Sequence, residues 1–267
     1  MKLKKKIINI ILHPYSSYQV LQKIIFDKYF QHFCEEKAKQ FFVKNNEIEY
    51  FKTVKNSEIG PEFLDLKRLY NLIINRKPRC VLEFGSGFST IAITLALRKN
   101  YKKNKILGKL FSIDGNEKWL ENTKNKFHED LADYVKFYYS KPYISKFKDQ
   151  LVTYHEVLPD ISPNFIYLDG PAPNDVVNSI NGLTFNSKII EKGEEGKIFF
   201  EKNTRRIVSA DILMYESTSP SDFFILVDKR YSNANVLEKS LLFDYIIKKK
   251  LHFGGSVSFE KKYQPYP

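Results

Sequence analysis

Four acidic side chains end or follow short apolar segments of this chain, and carboxylates placed in this way can bind one ligand together. The four acids are Glu83, Asp114, Asp169 and Asp228. Each apolar segment has the length of a buried strand. If the strands run parallel in one sheet, their carboxyl ends meet at one edge, so we expect the four carboxylates to rim one crevice. Because burying unpaired carboxylates is costly, such a crevice favours a cationic ligand, lysine side chains or a metal ion.

A glycine turn follows the first of these segments. Residues 80–90 have the sequence CVLEFGSGFST, and the apolar residues 91–97 come next. This order is typical of a strand, a tight turn and a helix, in which glycines let the backbone approach a ligand and the helix start offers free N–H groups. A dinucleotide-binding loop would have a third glycine at position 90, where Thr90 stands. Glu83, before the turn, suits a cationic ligand better than a diphosphate.

The glycine turn resembles motif I of class I S-adenosylmethionine-dependent methyltransferases, in which an acid precedes a Gly-x-Gly turn. S-adenosylmethionine carries an ammonium and a sulfonium, which matches the acid at Glu83. The resemblance extends over residues 78–230 and implies that Asp114 holds the ribose hydroxyls through charge-assisted hydrogen bonds. The cofactor-binding residues that it implies are Glu83, Gly85, Ser86, Gly87, Ser89, Asp114, Gly115, Asn116 and Trp119.

A second stretch, residues 164–171, resembles motif IV of the same family. In that family the motif's acid faces the methionine end of the cofactor and the acceptor, which implies that Asp169 lies at the reaction centre. Residues 154–159 and 227–235 further resemble a poorly characterised bacterial branch of the family. If the acceptor is a hydroxyl, a base must take its proton. The catalytic candidates are Asp169 and His155, with Asp175 and Asp228 as further bases to consider.

Alternating strand and helix patterns predict an α/β fold with a doubly wound, mostly parallel, Rossmann-like sheet, the class I methyltransferase fold. The predicted strands are Val81–Phe84, Leu110–Ile113, Val135–Tyr139, Phe165–Leu168 and Phe223–Val227, with an additional strand at Leu151–Val157 and closing strands at Leu251–Phe253 and Ser256–Phe259. The predicted helices are Glu62–Ile74, Ser89–Arg98, Glu117–Phe127, Thr204–Tyr215 and Val236–Ile247, with another beginning at Asp175 and a polar connector at Lys99–Lys109.

Residues 1–60 lack strand alternation and are predicted to form an N-terminal helical extension, with residues 61–267 forming the cofactor-binding domain. Residues 18–42 carry an aromatic and aliphatic stripe at helical spacing that includes Tyr29, Phe30 and Phe33. We expect this stripe to pack against the main domain, the alternative being a lid or a dimer contact. The oligomeric state stays open.

The net charge of +12 is compatible with a nucleic acid, an anionic membrane surface or an anionic substrate, but the lysines are dispersed and no nucleic-acid-binding signature accompanies them. The apolar residues 7–12 are too few for a secretion signal or a membrane span. Cys34 and Cys80 form neither a disulfide framework nor a zinc site. We therefore expect a cytoplasmic protein with a basic surface and no transmembrane segment.

The expected reaction is S-adenosylmethionine-dependent methylation, at oxygen, of a small-molecule or carbohydrate-like acceptor, and the net charge of +12 is compatible with an anionic one. Some related enzymes hold magnesium with the motif IV acid and an Asp-Asn pair, but Lys229 follows Asp228 here, so no divalent metal is expected. The alternatives are an RNA-modifying methyltransferase, a non-catalytic protein on the same fold and, less favoured, a nucleotide-dependent oxidoreductase.

Overall fold

The computed structural model of the chain describes residues 14–52, 60–148, 150–182, 208–250 and 255–262. The helices of these residues are α1 (Pro14–Lys44), α2 (Ile48–Lys52), α3 (Phe63–Arg76), α4 (Phe88–Asn104), α5 (Glu117–Asn125), α6 (Asp211–Glu216) and α7 (Tyr231–Ser240). The strands are β1 (Cys80–Phe84), β2 (Lys109–Asp114), β3 (Val135–Tyr139), β4 (Pro142–Phe147), β5 (Gln150–His155), β6 (Phe165–Leu168), β7 (Phe224–Asp228), β8 (Tyr245–Lys250) and β9 (Ser256–Lys261).

Seven of the described strands form one sheet in the order β3-β2-β1-β6-β7-β9-β8. Strands β3, β2, β1, β6 and β7 run parallel, and β9 and β8 close the sheet as an antiparallel pair. The chain builds outward from β1 on one side and returns to β6 on its other side, so the sheet is doubly wound and the predicted fold class is confirmed. The pair β4–β5 forms a separate antiparallel ribbon.

The central strands are apolar because helices cover both faces of the sheet. In β1, Val81 packs with α3 and α4 on one face, while Leu82 and Phe84 pack with α6 and α7 on the other. All three side chains are fully buried. Burial on both faces explains why the sequence of β1 is a continuous apolar run interrupted by one acid, Glu83.

The predicted helix Val236–Ile247 is wrong in its second half. Helix α7 ends at Ser240, and residues 245–250 form β8, which pairs with β9. The buried carboxylate of Glu216 accepts hydrogen bonds from the backbone N–H groups of Leu242 and Phe243 at 2.8–2.9 Å, which turns the chain out of the helix. The closing strand Ser256–Phe259 is confirmed within β9, and the one predicted at 251–253 lies outside the described residues.

Three further element predictions are wrong in whole or in part. The predicted connector Lys99–Lys109 is shorter than expected, because α4 continues to Asn104 and its last turn carries Lys102 and Lys103, where the helix dipole favours cations; residues 105–108 connect it to β2. No helix begins at Asp175: a short 3-10 turn ends there, and the N–H of Val177 then donates to the carbonyl of Pro142 at 2.8 Å. The helix predicted at 204–215 starts only at Asp211, and residues 204–207 lie outside the described part.

The C-terminal end of α1 packs on the main domain through an aromatic cluster. Phe42 is completely buried, and its ring lies 4.7 Å from that of Phe51 and 5.8 Å from that of Tyr70, measured between centroids. The predicted packing of the upstream stripe is wrong for Tyr29, Phe30 and Phe33, which are 73%, 42% and 52% exposed. None of the described helices is long and apolar enough to span a membrane.

Candidate functional site

Two backbone turns meet at the carboxyl ends of β1 and β6, where the winding of the sheet reverses. Gly85 and Gly87 adopt φ angles of +98° and +147°, which side chains with a Cβ rarely adopt. A Cβ on Gly170, in the turn after β6, would lie 2.9 Å from the Gly85 nitrogen and 3.0 Å from the carbonyl carbon of Phe84. The two turns therefore touch through their backbones, and open α/β sheets bind ligands at such a point.

Gly170→Ala is expected to destabilise the protein by about 1–3 kcal/mol and to weaken ligand binding at this point, because the new methyl group meets main-chain atoms that cannot move aside. Urea unfolding measures the loss. Gly60→Ala is the matched control, since its Cβ has nothing within 4 Å. Equal stability of the two variants would show that the turns are not in close contact.

A cleft of about 510 Å³ opens above these turns, within the size range of small-molecule sites. Most of the residues singled out from the sequence line it: Gly85, Ser86, Asp114, Gly115, Asn116, Trp119, His155 and Asp169. Glu83 and Gly87 are buried and Ser89 is half-buried, and these three form the support of the turn rather than the lining. Asp175 and Arg230 complete the charged lining among the described residues.

Asp114 ties the glycine turn to the end of β2. One carboxylate oxygen accepts hydrogen bonds from the backbone N–H and the hydroxyl of Ser86, at 2.7 and 2.6 Å, and the other accepts from the N–H of Asn116 at 2.8 Å. Burial raises the pKa of Asp114, and the bonds from Ser86 and Asn116 oppose that shift. Three of about four acceptor positions of the carboxylate are used, so about one remains for a ligand hydroxyl.

Asn116 and Trp119 shape the neighbouring wall of the cleft. Asn116 caps α5, since its side-chain oxygen accepts from the N–H of Trp119 at 2.9 Å. Its amide nitrogen donates to Asp175 at 3.0 Å, and the indole N–H of Trp119 donates to the carbonyl of Ser86 at 2.7 Å. The half-buried indole is thereby fixed beside the glycine turn.

Glu83 is a fully buried acid directly beneath the turn. One of its oxygens accepts from the hydroxyls of Thr90 and Ser112, both at 2.7 Å, and the other has no hydrogen-bond partner among the described residues. Burial raises its pKa to about 7, although the neighbouring hydroxyl groups of Ser89, Thr90 and Ser112 lower it in part. Thr90 also accepts from the N–H of Gly87 at 2.9 Å. The residue that replaces the third glycine therefore connects the acid to the turn.

Asp169 faces the cleft with a half-exposed carboxylate, while its backbone is held by Arg230. The guanidinium of Arg230 donates to the carbonyl oxygens of Asp169 and Pro171, the latter at 3.0 Å. Desolvation raises the pKa of Asp169 to about 6, against the attraction of Arg230 and Lys229. Arg230 was missed from the sequence, although it stands two residues beyond a strand-ending acid.

The expectation that four strand-end carboxylates rim one crevice is wrong for two of them. Glu83 lies beneath the turn, and Asp228 is not part of the cleft lining, because it forms an ion pair with Arg68 at 3.1 Å. Asp175 instead joins Asp114 and Asp169. Within the described residues, no three His, Cys, Asp or Glu side chains are grouped so that they could hold a metal ion.

His155 lies at the end of β5 on the cleft wall and is held by a buried acid. Its Nδ1 is 2.8 Å from Asp211, and its backbone N–H donates to the other oxygen of the same carboxylate at 2.9 Å. Its ring packs on Phe84, with 5.3 Å between centroids. Asp211 was missed because it lies within the predicted helix Thr204–Tyr215 and no motif stands beside it.

No protein-family model matches this chain, and no curated protein does. Solved structures similar to it include an SAH-bound methyltransferase from Podospora anserina, at 12% identity and a TM-score of 0.49, covering 89% of this chain and 96% of that one. The O-methyltransferase TomG from Streptomyces achromogenes, in complex with SAM, is 14% identical with a TM-score of 0.46 and coverages of 89% and 96%. An O-methyltransferase from Bacillus cereus with SAH is 12% identical with a TM-score of 0.45 and coverages of 89% and 97%.

At 12–14% identity, these structures do not show what this chain binds. The fold rests on the chain's own sheet, with its doubly wound order, its antiparallel closing strands and the paired turns at the switch point. By that arrangement the chain has the fold of class I S-adenosylmethionine-dependent methyltransferases.

Proposed function

We propose that this chain is an S-adenosylmethionine-dependent methyltransferase that acts on a small-molecule acceptor, at oxygen. One observation carries the proposal: the cleft at the switch point is acidic in a protein whose net charge is +12. Three carboxylates, those of Asp114, Asp169 and Asp175, line it together with one guanidinium, that of Arg230. A cationic ligand offsets such a charge distribution, and an anionic one opposes it.

The glycine turn itself favours this ligand over a dinucleotide. The N–H of Gly85 donates to the carbonyl of Ile113 at 2.8 Å, that of Ser86 to Asp114 and that of Gly87 to Thr90. A diphosphate bound at a glycine turn needs such N–H groups as donors. Because all three are already engaged, the turn supports close approach of a ligand without cradling a phosphate.

Desolvation of the acids also favours a cationic ligand. Burial raises the pKa values of Glu83 and Asp169 to about 7 and about 6. Keeping these two groups ionised in the ligand-free protein therefore costs free energy. A bound positive charge lowers that cost. The unpartnered oxygen of Glu83 adds to that cost, because no hydrogen bond offsets its desolvation.

S-adenosylmethionine, when bound, supplies a sulfonium methyl group that a nucleophile displaces in line. The residues proposed to hold it are Asp114 for the ribose hydroxyls, Asn116 and Trp119 for the adenosine side, and the turn of Gly85, Ser86 and Gly87 with Gly115, Ser89 and Glu83 in support. Asp169 is proposed to face the reacting end. The chain chiefly provides orientation, the main requirement of a displacement of this kind.

The acceptor is proposed to be small or carbohydrate-like. The compartment is proposed to be the cytoplasm, in keeping with two free cysteines, Cys34 and Cys80. In this proposal residues 1–60 form a helical extension to the cofactor domain of residues 61–267, and the chain comes from the bacterial branch that its motifs resemble.

Transfer of a labelled methyl group from S-adenosylmethionine tests the activity, with phenols, sugars, amines and total RNA as acceptors. Label in a small organic product, abolished by excess S-adenosylhomocysteine, supports the proposal. Label in RNA, together with a steep salt dependence of RNA binding, would favour the RNA-modifying alternative. Binding of the cofactor without transfer to any of these acceptors would favour the non-catalytic one.

A further inference from the structure

The cleft wall holds a histidine–aspartate pair that orients one ring nitrogen for proton transfer. Both oxygens of Asp211 hold His155, one through Nδ1 at 2.8 Å and the other through the backbone N–H at 2.9 Å. Because His155 is hydrogen-bonded at both its backbone and its ring, the imidazole has little freedom to rotate. With the ring hydrogen on Nδ1, from which it can be donated to Asp211, Nε2 keeps its lone pair.

Asp211 is itself locked in place. It is completely buried, and Ser209 donates its hydroxyl to the same oxygen that faces the His155 ring, at 2.9 Å. Ser209 is held in turn by the side-chain amide of Asn233, which accepts from its N–H and donates to its carbonyl, both at 2.9 Å. Asn233 is also completely buried. Three segments of the chain thus position a single carboxylate.

The charge of Asp211 is left for His155 to balance. Among the described residues, no lysine or arginine forms an ion pair with it, and His155 is its one basic neighbour. Burial raises the pKa of the nearby Tyr154 and Tyr215, and the negative charge of Asp211 adds to both shifts. A carboxylate that is hydrogen-bonded to one ring nitrogen holds the imidazole in an orientation in which the other nitrogen can accept a proton.

The other acids of the cleft are less suited to this task. The backbone of Asp169 lies against the glycine turn, since a Cβ on Gly85 would come within 3.4 Å of its carbonyl carbon, and its carboxylate lies 3.8 Å from the Nε of Arg230. Asp175 accepts a hydrogen bond from the side-chain amide of Asn116 at 3.0 Å, which occupies one of its carboxylate oxygens. His155 is the lining residue that a dedicated buried acid orients.

We propose that His155 is the general base of the reaction, that Asp211 is its positioning residue, and that the acceptor atom is therefore a hydroxyl oxygen. The inference rests on the proposed methyltransferase function. In the step, the acceptor oxygen forms a bond to the methyl carbon, the carbon–sulfur bond breaks and its electron pair stays on sulfur. The hydroxyl proton passes to Nε2 of His155 and is later released to water.

The test compares the unmodified chain with His155→Gln, His155→Ala, Asp211→Asn and the control His32→Gln, an exposed histidine of α1. Calorimetry with S-adenosylmethionine should give affinities within about twofold of one another. With 4-methylphenol at pH 8, His155→Gln should lower kcat about 100-fold or more at unchanged KM, and Asp211→Asn about tenfold or more. With 4-nitrophenol, which is mostly ionised at that pH, the loss should be less than tenfold, and added imidazole should restore His155→Ala.

A second readout needs no acceptor. In spectra of 15N-histidine-labelled protein, His155 should carry its proton on Nδ1 at neutral pH, and Asp211→Asn should abolish that state. A proton on Nε2 would overturn the inference, as would equal losses with both phenols or methylation of amines or thiols alone. If the unmodified chain binds no S-adenosylmethionine, the proposed function fails; if it binds and His155→Gln turns over normally, only the role of His155 fails.

Discussion

Asp114→Asn is expected to weaken S-adenosylmethionine binding about 100-fold. The variant loses charge-assisted hydrogen bonds of two kinds, those that hold the glycine turn and the one proposed for the ribose. The asparagine cannot accept on both sides, so an NH₂ group meets either the donors of Ser86 or the N–H of Asn116. The turn loosens, and the acceptor proposed for the ribose loses its charge. Titration calorimetry measures the change in Kd.

Asp133→Asn is the control for this variant, since Asp133 is an exposed acid that does not belong to the cleft lining. Its affinity should match that of the unmodified chain. Circular dichroism establishes that Asp114→Asn is folded, with an expected loss of about 1–3 kcal/mol in unfolding free energy. A folded Asp114→Asn that binds the cofactor as tightly as the control would contradict the proposal that Asp114 binds the ribose hydroxyls.

Glu83→Gln is expected to stabilise the ligand-free protein relative to the unmodified chain by about 3 kcal/mol more at pH 8 than at pH 4.5. Burial raises the pKa of Glu83 from 4.5 to about 7, so the folded state holds a proton that the unfolded state has released. This group's contribution to stability is full below pH 4.5 and is lost as the pH rises to about 7. The amide keeps an acceptor for the hydroxyls of Thr90 and Ser112 and carries no charge to desolvate.

Urea unfolding across this pH range measures the effect, with Glu121→Gln, an exposed acid of α5, as the control that should show no such difference. The same Glu83→Gln protein should bind S-adenosylmethionine about tenfold more weakly at pH 8, since one negative charge near the ligand is gone. Equal stabilities of Glu83→Gln and the unmodified chain at both ends of the range would mean that Glu83 is not desolvated as described.

The part of the site that could be predicted from sequence is the part built by neighbouring residues. Strand β1, the turn and α4 follow one another along the chain, so the glycines, Glu83 and the start of the helix were all recognisable. Asp114 was recognisable for the same reason, since an acid at the end of a strand marks the sheet edge without knowledge of the rest. Local order along the chain was enough for these residues.

The rest depends on contacts between distant segments. Asp211 holds a histidine 56 residues away, and Arg230 reaches back 61 residues to Asp169, so no pattern near either residue signals its partner. Asp228 ends its strand as predicted, yet a cation on α3, Arg68, lies close enough to pair with it. A distant contact also explains why α7 ends where it does. Glu216 accepts a hydrogen bond from the N–H of Phe243, which stops the helix and allows β8 to form.

Equilibrium binding of S-adenosylmethionine to the unmodified chain at pH 8, measured by calorimetry beside NAD⁺ at the same concentrations, tests most directly whether the acidic cleft takes a cationic nucleoside. The expected result is saturable binding of S-adenosylmethionine at one site and no measurable heat from NAD⁺. Tighter binding of NAD⁺, or a folded protein that binds neither, would contradict the account.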